Sequence, residues 1–304
     1  MQPLVSICCI TYNHAPYISE TLESFLSQRT MFPYEIIICD DASIDETAQI
    51  ITEYVQKYPG KITFIQNRVN KFSKGTHPIA TDVLPIAQGK YIALCEGDDY
   101  WISTDKLQMQ VDFLENDSDY SGSAHHCLKL FPNGTTSLFK SSTKAIYTVS
   151  DLLGKRPFHT ASFLFRASAL QENPLPPVFV SYDKALFLLI ALKGKIKYMD
   201  SLEAIYRIHS QSITHQWSVE LLERDKGISS WLFGIDSSFP KYVHLSRYYN
   251  SLFTYPKDIC PAKAITAFLL FVFYSFSYFP YNFIVIYKQS RVLLKKLIHY
   301  LFGE

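Results

Sequence analysis

Two pairs of adjacent carboxylates stand where apolar segments end. Asp98 and Asp99 follow the apolar run 91–95, and Asp40 and Asp41 follow a second such run. Carboxylate oxygens bind divalent cations, and phosphate-bearing ligands bind at the carboxyl ends of strands in open parallel sheets. A solvated acidic turn is the alternative for either pair alone. The two pairs together indicate a nucleotide-using enzyme, because neighbouring carboxylates repel unless a cation or hydrogen-bond donors lie between them.

Strand and helix patterns alternate along the chain and place these carboxylates on one sheet. The predicted strands are Val5–Thr11, Glu35–Cys39, Ile62–Gln66 and the run that reaches Asp98. The predicted helices are Tyr17–Gln28, a second helix that begins with a capping box at Ser43 and Glu46, and a third that reaches Ala87. Later elements are a strand at Ala161–Arg166, a helix at Asp183–Lys193, a strand at Ile196–Met199 and helices over 217–260. Repeated strand–helix–strand units imply an α/β fold with a mainly parallel sheet and helices on both faces.

Composition and net charge limit the binding partners and the cellular compartment expected for this chain. The chain has 304 residues and a formal net charge of +1, so it has no basic field that would suggest nucleic acid as a partner. The six cysteines show no metal-binding spacing, which indicates reduced core residues in a cytosolic compartment. The amino-terminal segment lacks the basic and apolar regions of a secretory signal.

The carboxyl-terminal region has a different composition. All residues from Ala264 to Tyr287 are uncharged, and the segment reaches the ~20 residues needed to cross a bilayer core, although Pro280 and Asn282 interrupt it. A membrane span, a segment lying in one leaflet, and a buried packing helix or homodimer contact all fit this pattern. The basic amphipathic helix that follows is typical of binding to an anionic cytoplasmic leaflet.

Three motifs in order resemble the signatures of family 2 glycosyltransferases, which have the GT-A fold. They are Val5–His14, Ile38–Asp45 and Glu96–Asp99, within a resemblance that covers residues 1–215. The first motif implies that Thr11 and Tyr12 contact the nucleotide base and ribose. The second implies that Asp41, together with Asp40, holds the edge of the base.

The third motif resembles the family's DXD element, with Glu96 at its first position. The resemblance implies that Asp98 contacts the nucleotide-sugar donor and that Asp99 binds Mn²⁺ or Mg²⁺. Such an ion stabilises the negative charge that develops on a departing nucleoside diphosphate.

The resemblance also implies the groups that act near the acceptor. Asp183, at the start of the helix that ends in Lys193-Gly194-Lys195, matches the family's general base, and a helix cap is its alternative role. The segment Tyr206-Arg207-Ile208-His209 is similar to the family's Tyr-Arg-x-His, which implies Arg207 on the donor and His209 at the metal. Further candidates are His159, Thr160 and Ser162 in the acceptor cleft. Apart from the resemblance, Lys71 and Lys74 are candidate helpers at the diphosphate, and a solvated basic loop is the alternative for both.

These inferences combine in one predicted function. The chain is expected to be an inverting glycosyltransferase that moves a sugar from a nucleotide-sugar, expected to be UDP-linked, to a glycan or lipid-linked acceptor in cell-surface polysaccharide synthesis, at the cytoplasmic face of the membrane. Its predicted parts are a GT-A domain over 1–215 with nucleotide-binding (1–115) and acceptor (116–215) halves, a helical extension over 216–262, and a membrane-associating tail over 263–304.

Two alternatives stay open. A nucleotidyltransferase would normally carry a Gly-rich basic phosphate loop after its first strand, and the segment 11–16 has neither feature. A membrane protein with a catalytically degenerate nucleotide-sugar site would bind UDP without metal dependence or turnover.

Overall fold

The computed structural model describes residues 2–140, 144–209, 218–256, 258–276 and 283–302. They form two units. The first contains most of residues 2–209 and holds one mixed sheet, and the second contains residues 153–155 and 179–181 with the described residues from 218 onward.

The described secondary structure alternates through the first unit and is helical in the second. The strands are β1 (Val5–Thr11), β2 (Tyr34–Asp40), β3 (Ile62–Gln66), β4 (Tyr91–Leu94), β5 (Tyr100–Trp101), β6 (Tyr120–Leu130), β7 (Thr136–Leu138), β8 (Ile146–Tyr147), β9 (Leu164–Arg166) and β10 (Lys195–Arg207). The helices are α1 (Ile18–Leu26), α2 (Thr47–Lys57), α3 (Lys106–Asn116), α4 (Val149–Leu152), α5 (Ser168–Glu172), α6 (Tyr182–Lys193), α7 (Val219–Glu223), α8 (Ile228–Ile235), α9 (Lys241–Thr254), α10 (Pro261–Ser275) and α11 (Phe283–Phe302). A π-helical turn (Ile79–Val83) and three described 3-10 turns (Leu84–Ile86, Thr160–Ser162, Arg224–Gly227) complete them.

The amino-terminal half of the sheet is parallel, as predicted. Its strand order is β3-β2-β1-β4, and Thr11 at the end of β1 pairs in register with Asp40 at the end of β2. The central strands are almost continuously apolar because both faces are covered. From one side, α1 buries Ile18, Leu22 and Phe25 against them. The predicted α/β class is confirmed.

The remaining strands extend the sheet with mixed direction. After β4 come β9 and β6, each antiparallel to its predecessor, then β10 parallel to β6 and β5 antiparallel to β10. The strand predicted at 161–166 is shorter, because a 3-10 turn occupies 160–162. The strand predicted at 196–199 instead continues to Arg207 through register shifts between Met199 and Ala204. Strand β6 was not predicted.

The predicted capping box at Ser43 and Glu46 is wrong. The Ser43 hydroxyl binds Asp40 at the end of β2, so it is not available to cap a helix. Helix α2 begins only at Thr47 and has no side-chain cap. The helix predicted to reach Ala87 is also modified, because residues 79–86 form a π-helical turn followed by a 3-10 turn that contains Pro85.

The second unit is built from helices α7 to α11. Leu252, Phe253 and Phe271 are among the residues of its own apolar core. Within the described ranges, no helix has both the length and the apolar character that crossing a membrane requires. The predicted segment 264–287 corresponds to α10 and the start of α11, with residues 277–282 outside the described ranges.

Candidate active site

The carboxyl ends of β1, β2 and β4 lie side by side, because neighbouring parallel strands run in the same direction. The Thr11 carbonyl accepts a hydrogen bond from the Asp41 backbone N–H, and the Ile10 carbonyl accepts one from the Gly97 N–H, both at 2.9 Å. A Cβ on residue 97 would lie 2.7 Å from the Thr11 side chain, so glycine permits this approach. Thr11 is buried, whereas Tyr12 is 42% exposed. The acidic strand ends therefore meet at one edge of the sheet.

Asp40 is fully buried and shapes the turn after β2. Its carboxylate accepts hydrogen bonds from the hydroxyl and the backbone N–H of Ser43, and the Ser43 hydroxyl accepts one from the Asn13 N–H at 2.8 Å. Burial raises the pKa of Asp40 in spite of these bonds. Asn13 and Ala42 both have positive φ, at 57° and 65°. Such strain in L-residues concentrates at functional sites.

Asp41 is also buried and anchors the loop after β3. Its Oδ1 accepts hydrogen bonds from the Asn67 amide (3.0 Å) and the Lys71 N–H (2.8 Å), and its Oδ2 accepts the next N–H along the loop (3.0 Å). The Lys71 ammonium pairs with Asp82. Lys74 is exposed and forms no ion pair with any described residue. The structure therefore leaves Lys74 as the less engaged of the two predicted diphosphate helpers.

Three metal-ligand side chains, which we call the outer group, meet just after β4. Asp98 Oδ2 lies 2.8 Å from Nε2 of His209 and 3.7 Å from Nε2 of His14. Burial lowers the pKa of His14, although Asp98 opposes it, so this imidazole is neutral at pH 7. Burial would raise the pKa of Asp98, but the two imidazoles outweigh it and keep that pKa below its usual value. Neutral imidazole and ionised carboxylate are the forms that bind a divalent cation.

A second set, the inner group, contains Glu96, Asp99 and His159. In each group the candidate ligand atoms lie within 4.8 Å of one another. Asp99 is 1% exposed, its Oδ2 lies 3.5 Å from His159 Nδ1, and its Oδ1 accepts the Arg207 backbone N–H at 2.9 Å. Burial, followed by repulsion from Asp98, raises the pKa of Glu96 to about 7 and that of Asp99 well above its usual value.

The two groups divide the predicted metal ligands between them. Neither group contains both Asp99 and His209, because the structure brings Asp98 to His209 and turns the Asp99 carboxylate towards His159. Burial lowers the pKa of His159 well below its ordinary value, so this imidazole is neutral as well. The carboxylates of both groups suit Mn²⁺ or Mg²⁺, whereas the imidazoles also suit other first-row divalent metals.

Asp183 is the second residue of α6, not its N-cap. Its Oδ2 lies 3.0 Å from the Arg156 Nε in an ion pair that lacks hydrogen-bond geometry. The residue before it, Tyr182, donates a hydrogen bond to one carboxylate oxygen of Glu96 (3.3 Å), and Thr160 donates to the other (2.9 Å). The residue before the predicted base and the predicted acceptor-cleft residue Thr160 therefore both bind Glu96. The predicted cleft residue Ser162 is fully buried and donates to the backbone.

Arg207, which was predicted to contact the donor, supports the backbone of the segment 96–99. One guanidinium nitrogen donates to the Asp98 carbonyl (2.7 Å), and the other pairs with Glu20. The guanidinium carbon lies 4.3 Å from the centroid of the Tyr100 ring. With its donors engaged in this way, Arg207 holds the backbone that carries the acidic side chains.

Four residues of the site were missed by the sequence reasoning. They are His14, Glu20, Arg156 and Tyr182. Only His14 could have been found from the sequence. It stands at the end of the first motif, close to the end of β1, where its imidazole can reach the other candidate metal ligands. The other three join the site through contacts between segments far apart in sequence, which motif spacing does not encode.

A mixed sheet with carboxylates and imidazoles clustered at the ends of its parallel strands is typical of the GT-A fold. The sequence model of Glycosyl transferase family 2 matches residues 6–172. The chain belongs to this family.

Relatives and solved structures agree with this assignment. The Escherichia coli UDP-Glc:alpha-D-GlcNAc-diphosphoundecaprenol beta-1,3-glucosyltransferase WfaP is 32% identical over 229 residues, covering 75% of this chain and 86% of that protein. The Mycobacterium tuberculosis protein Rv1520 is 35% identical over 213 residues, which are 69% of this chain and 60% of that protein's length.

Two solved structures show the same fold. Staphylococcus aureus TarS 1-349 in complex with UDP-GlcNAc superposes with a TM-score of 0.68 at 19% identity, covering 90% of this chain and 81% of that one. The mannosyltransferase PcManGT from Pyrobaculum calidifontis, in complex with GDP-Man and Mn²⁺, gives a TM-score of 0.56 at 17% identity, covering 100% and 88%.

Proposed function

We propose that this glycosyltransferase is inverting and metal-dependent, and that it moves a sugar from a UDP-sugar to a glycan or lipid-linked acceptor in cell-surface polysaccharide synthesis. The observation that carries the proposal is the hydrogen bond from Tyr182 to Glu96, because it joins the helix bearing Asp183 to the acidic end of β4. The donor and the lipid-linked acceptor in the name of WfaP, and the UDP-GlcNAc bound to TarS, support the choice of substrates.

In this proposal, the residues of the outer group would hold the metal ion. Asp98, His14 and His209 offer one ionised carboxylate and two imidazoles, and His14 Nδ1 is buried without a hydrogen-bond partner among the described residues. A bound Mn²⁺ or Mg²⁺ would supply Lewis-acid stabilisation of the charge on the departing diphosphate. The Mn²⁺ in the PcManGT complex supports this choice of ion.

In the proposed reaction, Asp183 accepts the proton of the acceptor hydroxyl while the hydroxyl oxygen attacks the anomeric carbon of the donor. The bond from that carbon to the diphosphate breaks, and attack from the opposite side inverts its configuration. Arg156 orients the Asp183 carboxylate through their ion pair. Thr11 and Tyr12 are proposed to contact the nucleoside, beside the turn that Asp40 and Asp41 stabilise.

The test is transfer and hydrolysis by the purified chain with a panel of UDP-sugars and Mn²⁺. Asp183→Asn should lower the transfer rate by roughly 10²–10⁴-fold, the contribution of a general base, while UDP affinity stays near that of the wild type. Asp112→Asn, on the exposed face of α3, is the matched control. Pyrophosphate release would instead indicate a nucleotidyltransferase, and metal-independent UDP binding without turnover would indicate a degenerate site.

We also propose that the second unit binds the cytoplasmic surface of an anionic membrane. Exposed apolar side chains recur along α10, where Leu269 is 60% and Phe273 66% exposed. Lys288, Arg291 and Lys295 are exposed at helical spacing on α11. Apolar burial and attraction to anionic lipid together give reversible surface binding.

Vesicle flotation tests this surface. The chain should float with phosphatidylglycerol vesicles at low salt and much less with phosphatidylcholine vesicles. Leu269→Ser with Phe273→Ser should abolish flotation, whereas Tyr255→Ser, a change of an exposed aromatic residue directly after α9, should not. Equal recovery with both lipids, or no recovery with either, would contradict the proposal.

A further inference from the structure

Three cationic side chains surround one aromatic ring beside the proposed base. The Lys129 Nζ lies 5.6 Å, the Lys140 Nζ 5.9 Å and the Arg156 guanidinium carbon 5.8 Å from the centroid of the Phe139 ring. We call these four residues the cationic cluster. Cation–π attraction holds each charge near the ring, but three like charges around one ring also repel one another.

The charges of this cluster are only partly compensated. Arg156 is paired with Asp183. Neither Lys129 nor Lys140 forms an ion pair with any carboxylate in the described part of the chain. Lys129 is half-buried and Lys140 exposed, so both ammonium groups remain accessible to a ligand. Two ammonium groups without a carboxylate partner, 5.6 Å and 5.9 Å from the same ring centroid, attract an anion with several oxygens.

The position of the cluster connects it to the acceptor side of the site. The Phe139 ring packs edge to face against His159, with 5.4 Å between ring centroids, and His159 stacks on Tyr206 at 4.1 Å. Thr160, next to His159, binds Glu96 of the DXD segment. Arg156, a member of the cluster, pairs directly with Asp183.

From these contacts we infer that the cationic cluster binds a phosphate group of the acceptor, close to the hydroxyl that reacts. The inference rests on the proposed function, since it takes Asp183 to be the base. Lysine ammonium groups bind phosphate as point charges, and several such contacts discriminate strongly against a neutral ligand. The phosphate belongs either to a lipid-linked sugar diphosphate or to a polymer joined by phosphodiesters.

Calorimetric titration with three probes tests this assignment, with UDP and Mn²⁺ present so that the donor site is filled. The probes are a short-chain alkyl diphosphate of GlcNAc, a ribitol phosphate oligomer, and the neutral alkyl glycoside of GlcNAc. The wild type should bind at least one phosphate probe about tenfold or more tightly than the neutral glycoside. The phosphate probe that binds more tightly assigns the source of the phosphate.

The double variant Lys129→Gln with Lys140→Gln should lose this preference, and raised salt should weaken phosphate-probe binding in the wild type more than in the variant. Lys195→Gln, which removes a surface lysine paired with Asp119, is the matched control and should keep the preference.

Two results would overturn the inference alone. One is UDP binding by a wild type that does not prefer either phosphate probe, and the other is an unchanged preference in the double variant. Absence of UDP binding in the wild type would overturn the proposed function, and this inference with it. The UDP titration therefore separates the two failures.

Discussion

Replacing Glu96 with glutamine should stabilise the metal-free protein, and the effect should depend on pH. Burial, followed by repulsion from Asp98, raises the pKa of Glu96 from 4.5 to about 7, although Arg156 opposes the change. A carboxyl whose pKa is higher in the folded state binds its proton more tightly there, so folding favours the neutral form. The ionised form therefore destabilises the fold above pH 7, and the cost disappears below pH 4.5.

The size of the effect follows from the two pKa values. Each pH unit between them corresponds to about 1.4 kcal/mol, which gives an upper value of about 3 kcal/mol above pH 7. Glutamine imitates the protonated acid, because its carbonyl oxygen can still accept the Thr160 hydrogen bond and its NH₂ group can donate to the Tyr182 hydroxyl, although it loses the attraction of Arg156. We therefore expect Glu96→Gln to increase the free energy of unfolding by about 2 kcal/mol at pH 8 and by almost nothing at pH 4.

Urea denaturation between pH 4 and pH 8, without divalent metal, measures this difference. Glu53→Gln, an exposed change on α2, is the control and should leave the unfolding free energy unchanged across the range. Two results would refute the reasoning: a Glu96→Gln variant less stable than the wild type at pH 8, or a difference of the same size at both ends of the range.

Three further changes test the geometry of the strand ends. Ala42→Gly should raise the free energy of unfolding by about 1 kcal/mol in urea denaturation, because Ala42 has a φ of 65°; an unchanged value would contradict strain there. Gly97→Ala places a Cβ 2.7 Å from the Thr11 side chain, so we expect a loss of about 2 kcal/mol in stability and weaker UDP binding by calorimetry, and wild-type values in both would argue against close packing. His14→Ala should weaken Mn²⁺ binding in the presence of UDP about tenfold in a calorimetric titration, whereas unchanged affinity would remove His14 from the outer group.

The sequence predicted the parallel half of the fold because its strands are apolar almost throughout. Strand β6 escaped prediction because Ser121, Ser123 and His125 point into the interior and break the apolar pattern. The two serines are satisfied from other segments: Ser121 donates to the Ile190 carbonyl, and the Gln110 amide donates to Ser123. A local pattern cannot reveal a strand whose buried polar groups are satisfied by distant segments.

In the candidate site, too, local motifs identify residues, whereas the contacts between those residues depend on segments far apart in the sequence. The motifs located Asp98, Asp99 and His209, because each stands at the end of a recognisable segment. They could not show which of the two aspartates meets His209, since that depends on how β10 aligns with the end of β4. The extension of β10 to Arg207 settles it, because the Arg207 backbone N–H binds the Asp99 carboxylate and leaves that of Asp98 to the histidine.

The two carboxylates of the inner group, Glu96 and Asp99, are electrostatically unfavourable when they are ionised without a ligand, and this bears on function. Burial and mutual repulsion raise the pKa values of Glu96 and Asp99, so the fold bears a cost whenever these carboxylates ionise. A divalent cation or a bound donor hydroxyl would convert that cost into favourable contacts. Stability alone would be better served by apolar residues at these positions. Adding Mn²⁺ with UDP should therefore stabilise the wild type more than the Glu96→Gln variant and reduce the difference seen at pH 8.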